Sequence, residues 1–130
     1  MLNCMKKEIT RRINYLDSKE IATIYFGGGT PSILSVSEIT ELLATINKHY
    51  PVNKKVEVTL ECNPDDLSKE KLISLKKIGI NRLSIGIQSF NDQDLIFMNR
   101  SHNSEQAINC IHLAKQVGFE NITIDLIYGL

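Results

Sequence analysis

Two stretches, LKKIGINRLSIGIQ at 75–88 and AKQVGFENITIDLI at 114–127, share one layout, and that layout indicates the fold. Each starts with the end of an amphipathic helix, passes through a glycine (Gly79 or Gly118), and finishes as an alternating apolar segment. The glycine is typical of a left-handed helix C-terminus, and the alternation is typical of a strand. Because helices of this length alternate with strands, we predict an α/β fold with a parallel sheet and right-handed crossovers.

Two further helix and strand units precede this repeat. The segment 21–26, IATIYF, reads as a strand, and Ser35 with Glu38 has the pattern of a capping box at the start of a second helix. The segment 55–61, KVEVTLE, alternates like a strand, and Ser68 is placed to cap a third helix. The first helix is predicted from an apolar stripe at Met5, Ile9, Ile13 and Leu16. The prediction is about four parallel strands separated by helices.

The predicted strands have one apolar face and one polar face. The apolar face comprises Ile24, Phe26, Val56, Val58, Leu60, Leu83, Ile85, Ile87, Ile122, Ile124 and Leu126. The opposite face comprises Thr23, Tyr25, Gly27, Glu57, Thr59, Glu61, Ser84, Gly86, Gln88, Thr123, Asp125 and Ile127. Polar groups left unsatisfied in a dry core destabilise a protein by about 1–3 kcal/mol each, so a packed barrel interior is disfavoured. We expect helices on the apolar face and a wet or ligand-filled polar face.

The segment YFGGGTPS at 25–32 places three glycines directly after the first predicted strand. It does not fit the dinucleotide-binding fingerprint, because Ser32 occupies the position of the third required glycine. It does not fit a P-loop either, because no G-K-[ST] follows. A tight structural turn is one reading of it. The other is a backbone site for a small polar group, which is favoured because Pro31 forces Thr30 into an extended conformation at the ligand-binding end of the sheet.

Polar side chains also occur at or near the carboxyl ends of the other predicted strands. Glu61 and Gln88 follow two strands, Asp125 lies near the end of the last one, and Arg100 comes from a later segment. Each has an ordinary alternative role, such as a loop cap or a surface charge. Because the carboxyl ends of parallel strands lie at one edge of a sheet, we predict that Glu61, Gln88 and Asp125 share one face with the glycine loop.

Composition excludes several classes of partner. The chain has 130 residues and a formal net charge of zero, so nothing favours nucleic acid or an anionic membrane as a partner. The first residues lack the apolar core of a signal peptide, and we expect a cytoplasmic location. The three cysteines, Cys4, Cys62 and Cys110, are too widely spaced for a zinc site or a disulfide framework. We predict no metal ligands and no catalytic residues in this chain.

Five segments resemble, in order and spacing, the radical S-adenosylmethionine proteins grouped with oxygen-independent coproporphyrinogen III oxidase. They are YFGGGTPSILS, LECNPDDL, INRLSIGIQSFND, MNRSHNSEQA and NITIDLIYGL. Within that group, the sequence IQSF and the histidine two residues after Arg100 are more similar to the HemW-type haem-chaperone branch than to the oxidase.

This resemblance implies part of a (β/α)6 partial TIM-like barrel, with helices on the outer face, that binds S-adenosylmethionine. Gly28, Gly29 and Thr30 would contact the methionine end of the cofactor. The rest of the cofactor or its site would be held by Glu61, Gln88, Arg100 and Asp125. The resemblance also implies a 4Fe-4S cluster bound by a C-x-x-x-C-x-x-C loop, and this sequence does not contain that loop.

We therefore expect residues 1–130 to be the central part of a radical S-adenosylmethionine core domain, truncated at both ends. The expected function is the S-adenosylmethionine-binding core of a haem chaperone whose partner in the intact protein is haem or a porphyrin. Two alternatives stay open: the oxidase, which decarboxylates propionates oxidatively, and a non-redox adenosyl-ligand-binding module or inactive truncation. The chain by itself is expected to perform no radical chemistry.

Overall fold

The computed structural model describes residues 1–15 and 20–129. Within these ranges one parallel sheet has the strand order β1 (Ile21–Phe26), β2 (Val52–Cys62), β3 (Arg82–Gln88) and β4 (Asn121–Leu126). The α-helices are α1 (Leu2–Arg11), α2 (Val36–His49), α3 (Lys69–Lys77), α4 (Asp92–Phe97) and α5 (Ser104–Val117). Short 3-10 helices, Pro31–Ile33 and Pro64–Asp66, follow β1 and β2. The predicted parallel α/β fold is confirmed.

The hydrophobic core lies between one face of the sheet and the helices. The strands supply buried residues of the predicted apolar face, such as Leu60 and Leu83, and the helices supply residues such as Ile39, Leu72 and Ala107. Every second strand residue points to the same face, so the alternating pattern puts all of these side chains into a single cluster. The polar residues of the strands consequently lie on the concave, helix-free side of this core.

Strand β4 departs from the predicted burial. Ile122 packs against the core, but Ile124 and Leu126 are 37% and 51% exposed. The reason is position, since β4 is an edge strand of the described sheet and pairs with β3 alone. Alternation along the strand predicts which side a residue points to, but it does not predict whether anything covers that side.

The predicted caps of α2, α3 and α5 are confirmed. Ser35 and Glu38 form a reciprocal capping box at the start of α2, and the Ser68 hydroxyl accepts a hydrogen bond from the backbone N–H of Lys71 at the start of α3. Gly79 and Gly118 both have left-handed backbones, with φ of 102° and 92°. A side chain in this conformation is strained, which is why glycine follows α3 and α5.

Two helices differ from the prediction. Helix α1 ends at Arg11, before Ile13, which is 44% exposed and therefore contributes little to packing; Leu16 lies outside the described residues. Helix α4 was not predicted, because its six residues bury only Leu95 and are too few to show a helical period. No helix in the described ranges is long and apolar enough to cross a membrane.

Replacing Leu83 tests the position of the core. Its side chain is fully buried in the core cluster, so Leu83→Ala should lower the free energy of unfolding by about 2–5 kcal/mol through lost burial and a residual cavity. The matched control is Ile96→Ala, whose side chain is 70% exposed and should change stability by less than about 0.5 kcal/mol. Denaturant titration followed by circular dichroism measures both, and equal losses would contradict this core assignment.

Thiol reactivity tests the placement of the cysteines. Burial raises the pKa of Cys62 to about 12 and that of Cys110 to about 11, whereas Cys4 is exposed on α1. Because the thiolate is the reactive form, we expect one rapidly modified thiol per folded chain near pH 8 with an aromatic disulfide reagent. The variant Cys4→Ser should abolish the rapid phase, and denaturant should expose the remaining thiols. Rapid modification of Cys4→Ser would contradict the placement.

Candidate ligand-binding cleft

Glycine occupies the three positions after β1 for two different physical reasons. Gly28 and Gly29 have φ of 77° and 66°, and a Cβ on either would point into open space, so glycine is required there by conformation. At Gly27 the reason is closeness, since a Cβ there would lie 2.6 Å from Tyr25 Cε1 and 2.9 Å from Glu61 Oε1 and would displace these two side chains. The loop therefore exposes bare, left-handed backbone at the carboxyl edge of the sheet.

The residues after the glycines fasten the loop to the end of β2. Thr30 is extended, with φ −142° and ψ 96°, as expected for a residue before proline. The fully buried Ser32 donates its hydroxyl to Asp66 Oδ2 at 2.5 Å and accepts the backbone N–H of Asn63 at 3.2 Å. Lys71 donates to the Ser32 carbonyl from α3. The loops after β1 and β2 are thus one hydrogen-bonded unit.

Glu61 is held from two sides. Its Oε1 accepts the Tyr25 hydroxyl at 2.7 Å, and its Oε2 accepts the Gly28 backbone N–H at 3.0 Å. The hydrogen bond to Glu61 raises the pKa of Tyr25 above its ordinary value, because ionising the phenol would remove the donor beside a carboxylate. Each carboxylate oxygen can still accept a further hydrogen bond, so Glu61 orients the glycine loop and remains able to bind a donor.

Arg100 joins the cleft through Asn63 and Gly86. Its Nη2 donates to Asn63 Oδ1 at 2.9 Å and to the Gly86 carbonyl at 3.0 Å, and Asn63 Nδ2 donates to Thr30 Oγ1 at 3.4 Å. The buried Arg100 Nε has no hydrogen-bond partner within the described residues. Sequence reasoning missed Asn63 as a site residue. Its only signal was its place directly after a strand end, between Cys62 and Pro64.

Gln88 and Asp125 complete the cleft from β3 and β4. Gln88 has φ 68°, unusual for a residue with a side chain, and the pairing of β3 with β4 shifts register between Ile85 and Gln88. Asp125 Oδ2 lies 3.5 Å from the Ser84 hydroxyl, a weak contact that leaves the carboxylate available to a ligand.

A single cleft of about 190 Å³ brings these residues together. Its lining includes six of the seven residues singled out in the sequence: Gly29, Thr30, Glu61, Gln88, Arg100 and Asp125. The seventh, Gly28, adjoins it through the hydrogen bond to Glu61. The predicted shared face is therefore observed, with two carboxylates and one guanidinium around a bare backbone loop.

Toward the amino ends of the strands, the polar face of the sheet carries side chains that pair with one another. Arg82 Nη2 donates to Thr123 Oγ1 at 2.9 Å, and its Nη1 lies 3.6 Å from Glu57 Oε1. These groups satisfy one another in a partly exposed setting, as expected for a wet surface and not for a dry core. Arg82 also donates to Thr59, which is buried, so part of this polar face is covered by its own side chains.

The cysteines do not assemble into a cluster site. Cys4 is on α1, Cys62 is the last residue of β2, and Cys110 is on α5. Among residues 1–15 and 20–129, no group of three or more His, Cys, Asp or Glu side chains is arranged to hold a metal ion. The described residues therefore do not fit a 4Fe-4S cluster, which needs several thiolates close together.

The sequence of the chain is similar to curated proteins over nearly its whole length. The chain is 40% identical over 130 residues to the Heme chaperone HemW of Bacillus subtilis, covering 99% of this chain and 34% of that protein. It is 31% identical over 129 residues to the oxygen-independent coproporphyrinogen III oxidase of Escherichia coli, covering 99% of this chain and 28% of that protein. The chain thus spans about a third of the length of these curated relatives.

The structural comparison places the sheet in the same fold. The structure of coproporphyrinogen III oxidase (HemN) from Escherichia coli, described as a radical SAM enzyme, superposes with a TM-score of 0.90 at 31% identity, covering 99% of this chain and 30% of that one. The predicted barrel type is therefore confirmed. The family model described as the Radical SAM superfamily matches residues 6–130, so the chain belongs to the radical SAM superfamily.

Proposed function

We propose that the cleft binds S-adenosylmethionine. The observation that carries this proposal is the convergence of the glycine loop, two carboxylates, a carboxamide and a guanidinium on one small cleft. The residues that would hold the cofactor are Gly28, Gly29, Thr30, Glu61, Gln88, Arg100 and Asp125. Membership in the radical SAM superfamily supports the same ligand.

The chemistry of the cleft suits the charges of this cofactor. Carboxylates such as Glu61 and Asp125 accept hydrogen bonds from an ammonium group or from ribose hydroxyls, and they favour a nearby sulfonium charge. Arg100 carries the opposite charge and lines the cleft, which suits a ligand carboxylate. The left-handed backbone at Gly28 and Gly29 lets a ligand approach without meeting a side chain.

The chain's own contribution is binding and orientation. When bound beside a reduced iron–sulfur cluster, S-adenosylmethionine supplies radical chemistry in this superfamily, and the protein positions it and limits the access of water. The described residues offer no ligand set for that cluster. We therefore propose that residues 1–130 are the central, cofactor-binding part of a radical S-adenosylmethionine core domain and perform no radical chemistry by themselves.

For the whole protein we propose a haem chaperone, with haem or a porphyrin as partner. The supporting observation is the 40% identity to the Heme chaperone HemW of Bacillus subtilis over 99% of this chain. The oxidase is the second candidate, favoured by the close superposition on HemN. The two differ in outcome, since a chaperone holds haem unchanged and the oxidase removes propionate carboxyl groups.

Calorimetry tests the cofactor proposal. The chain should bind S-adenosylmethionine weakly, and Asp125→Asn should weaken binding by about 10- to 150-fold, because it removes a charge that is worth roughly 1.5–3 kcal/mol in a charged hydrogen bond. Among the described residues, the Asp125 side chain is seen to contact only Ser84, at a long distance, so the fold should tolerate this change. The charge-matched control is Glu105→Gln on α5, outside the cleft. Equal affinities for Asp125→Asn and Glu105→Gln would count against the cleft as the binding site.

Ligand choice separates the two whole-protein functions. Titrating haemin into the chain should give a saturable shift of the main visible absorption band of haemin. Adding coproporphyrinogen III should leave the thermal unfolding midpoint of the chain unchanged. Serum-albumin-free buffer and an equal concentration of free haemin are the controls. Thermal stabilisation by coproporphyrinogen III without any haemin band shift would favour the oxidase instead.

A further inference from the structure

The turn at the end of β3 is strained. The Ser89 backbone N–H donates to the Ile87 carbonyl at 2.9 Å, and the residue between them, Gln88, has φ 68°. A three-residue turn closed in this way around a positive φ has the geometry of the rarer, strained form of γ-turn. Such conformations persist only where the surroundings over-determine them, and they concentrate at functional sites. Something in the structure has to hold this turn.

The buried side chain of His102 contacts this turn. Its side chain is fully buried, and its Nε2 lies 3.0 Å from the Ile87 carbonyl oxygen. A carbonyl only accepts hydrogen bonds, so Nε2 carries the hydrogen and donates it. The Ile87 carbonyl therefore receives two donors, one from Ser89 and one from His102. The Nδ1 atom lies 4.0 Å from Asp65 Oδ1 and has no hydrogen-bond partner within the described residues.

The turn determines where the Gln88 side chain lies. Gln88 Nε2 would be 2.9 Å from a Cβ built on Gly86, so the carboxamide folds back over Gly86 into the cleft. On the other side, the Gln88 carbonyl accepts the Ile127 backbone N–H at 2.8 Å, which ties the turn to the segment after β4. If the backbone relaxed to an ordinary extended conformation, the side chain would leave this position.

We propose that His102 is a positioning residue for the cleft: through its hydrogen bond to the Ile87 carbonyl it holds the strained turn that keeps Gln88 among the ligand-binding groups. This inference rests on the proposed binding of S-adenosylmethionine at the cleft. His102 touches no ligand itself, because its ring is buried behind β3. Its effect on binding passes through the backbone.

Three substitutions separate this role from simple core packing. His102→Gln places an amide donor near the position of Nε2, His102→Asn is too short to reach Ile87, and His102→Leu fills the space without a donor. Losing one hydrogen bond on which the turn depends should accelerate exchange of the Ser89 amide about tenfold in His102→Asn and His102→Leu, and weaken S-adenosylmethionine binding by a similar factor. His102→Gln should stay close to the wild type in both measurements.

The exchange rate of Ser89 is read by NMR relative to the Leu60 amide in β2, which reports global unfolding. A purely structural role would move both amides together, whereas a positioning role moves Ser89 alone. The packing control is Leu75→Ala on α3, a fully buried residue whose loss should accelerate exchange at Leu60 without the selective acceleration at Ser89 that is expected for His102→Asn.

Two results would overturn the proposal: equal Ser89 to Leu60 ratios in His102→Gln and His102→Asn, or loss of Ser89 protection in His102→Gln. If His102→Leu does not fold, the comparison between the Gln and Asn variants decides. If the wild-type chain binds no S-adenosylmethionine, the proposed function fails, while the ligand-free exchange ratio still decides the role of His102.

Discussion

The structure depends on one constraint, which is that a parallel sheet with helices on one side has to sort its side chains by face. Apolar residues such as Leu60 and Leu83 pack under the helices, and polar residues such as Glu61 and Asp125 lie on the opposite side. Because successive residues of a strand point to opposite faces, a shift of one residue in a strand would turn its polar residues toward the helices and its apolar residues away from them. The same alternation therefore builds the core and supplies the polar cleft.

The cleft is stiffened by hydrogen bonds between loops that are distant in sequence. Ser32 accepts a hydrogen bond from the Asn63 backbone and so joins the loops after β1 and β2. Arg100 donates both to the Asn63 side chain and to the Gly86 carbonyl of β3, which connects these loops to the third strand. Several of these groups are loop residues held by rigid strands, which is the usual arrangement for binding sites in α/β folds. A ligand in the cleft would meet groups that are already oriented, which reduces the entropy lost on binding.

The residues proposed to bind the cofactor include none of the three cysteines. The groups suited to S-adenosylmethionine meet in one cleft, whereas Cys4, Cys62 and Cys110 lie on separate elements, and Cys62 and Cys110 are made inert by burial. The chain corresponds to about a third of the length of these curated relatives, and the cleft lies within that third.

The sequence by itself determined the features that depend on local periodicity: the order of the strands and of the helices other than α4, the capping box at Ser35, the left-handed Gly79 and Gly118, and the meeting of Glu61, Gln88 and Asp125 at one edge. These follow because alternation and strand direction are short-range properties. Only the tertiary structure decided that Asn63 bridges Thr30 and Arg100, that His102 supports the turn at Gln88, and that Ile124 and Leu126 remain exposed. Such contacts join segments far apart along the chain, so their geometry is set by how the loops and helices pack and not by any local pattern.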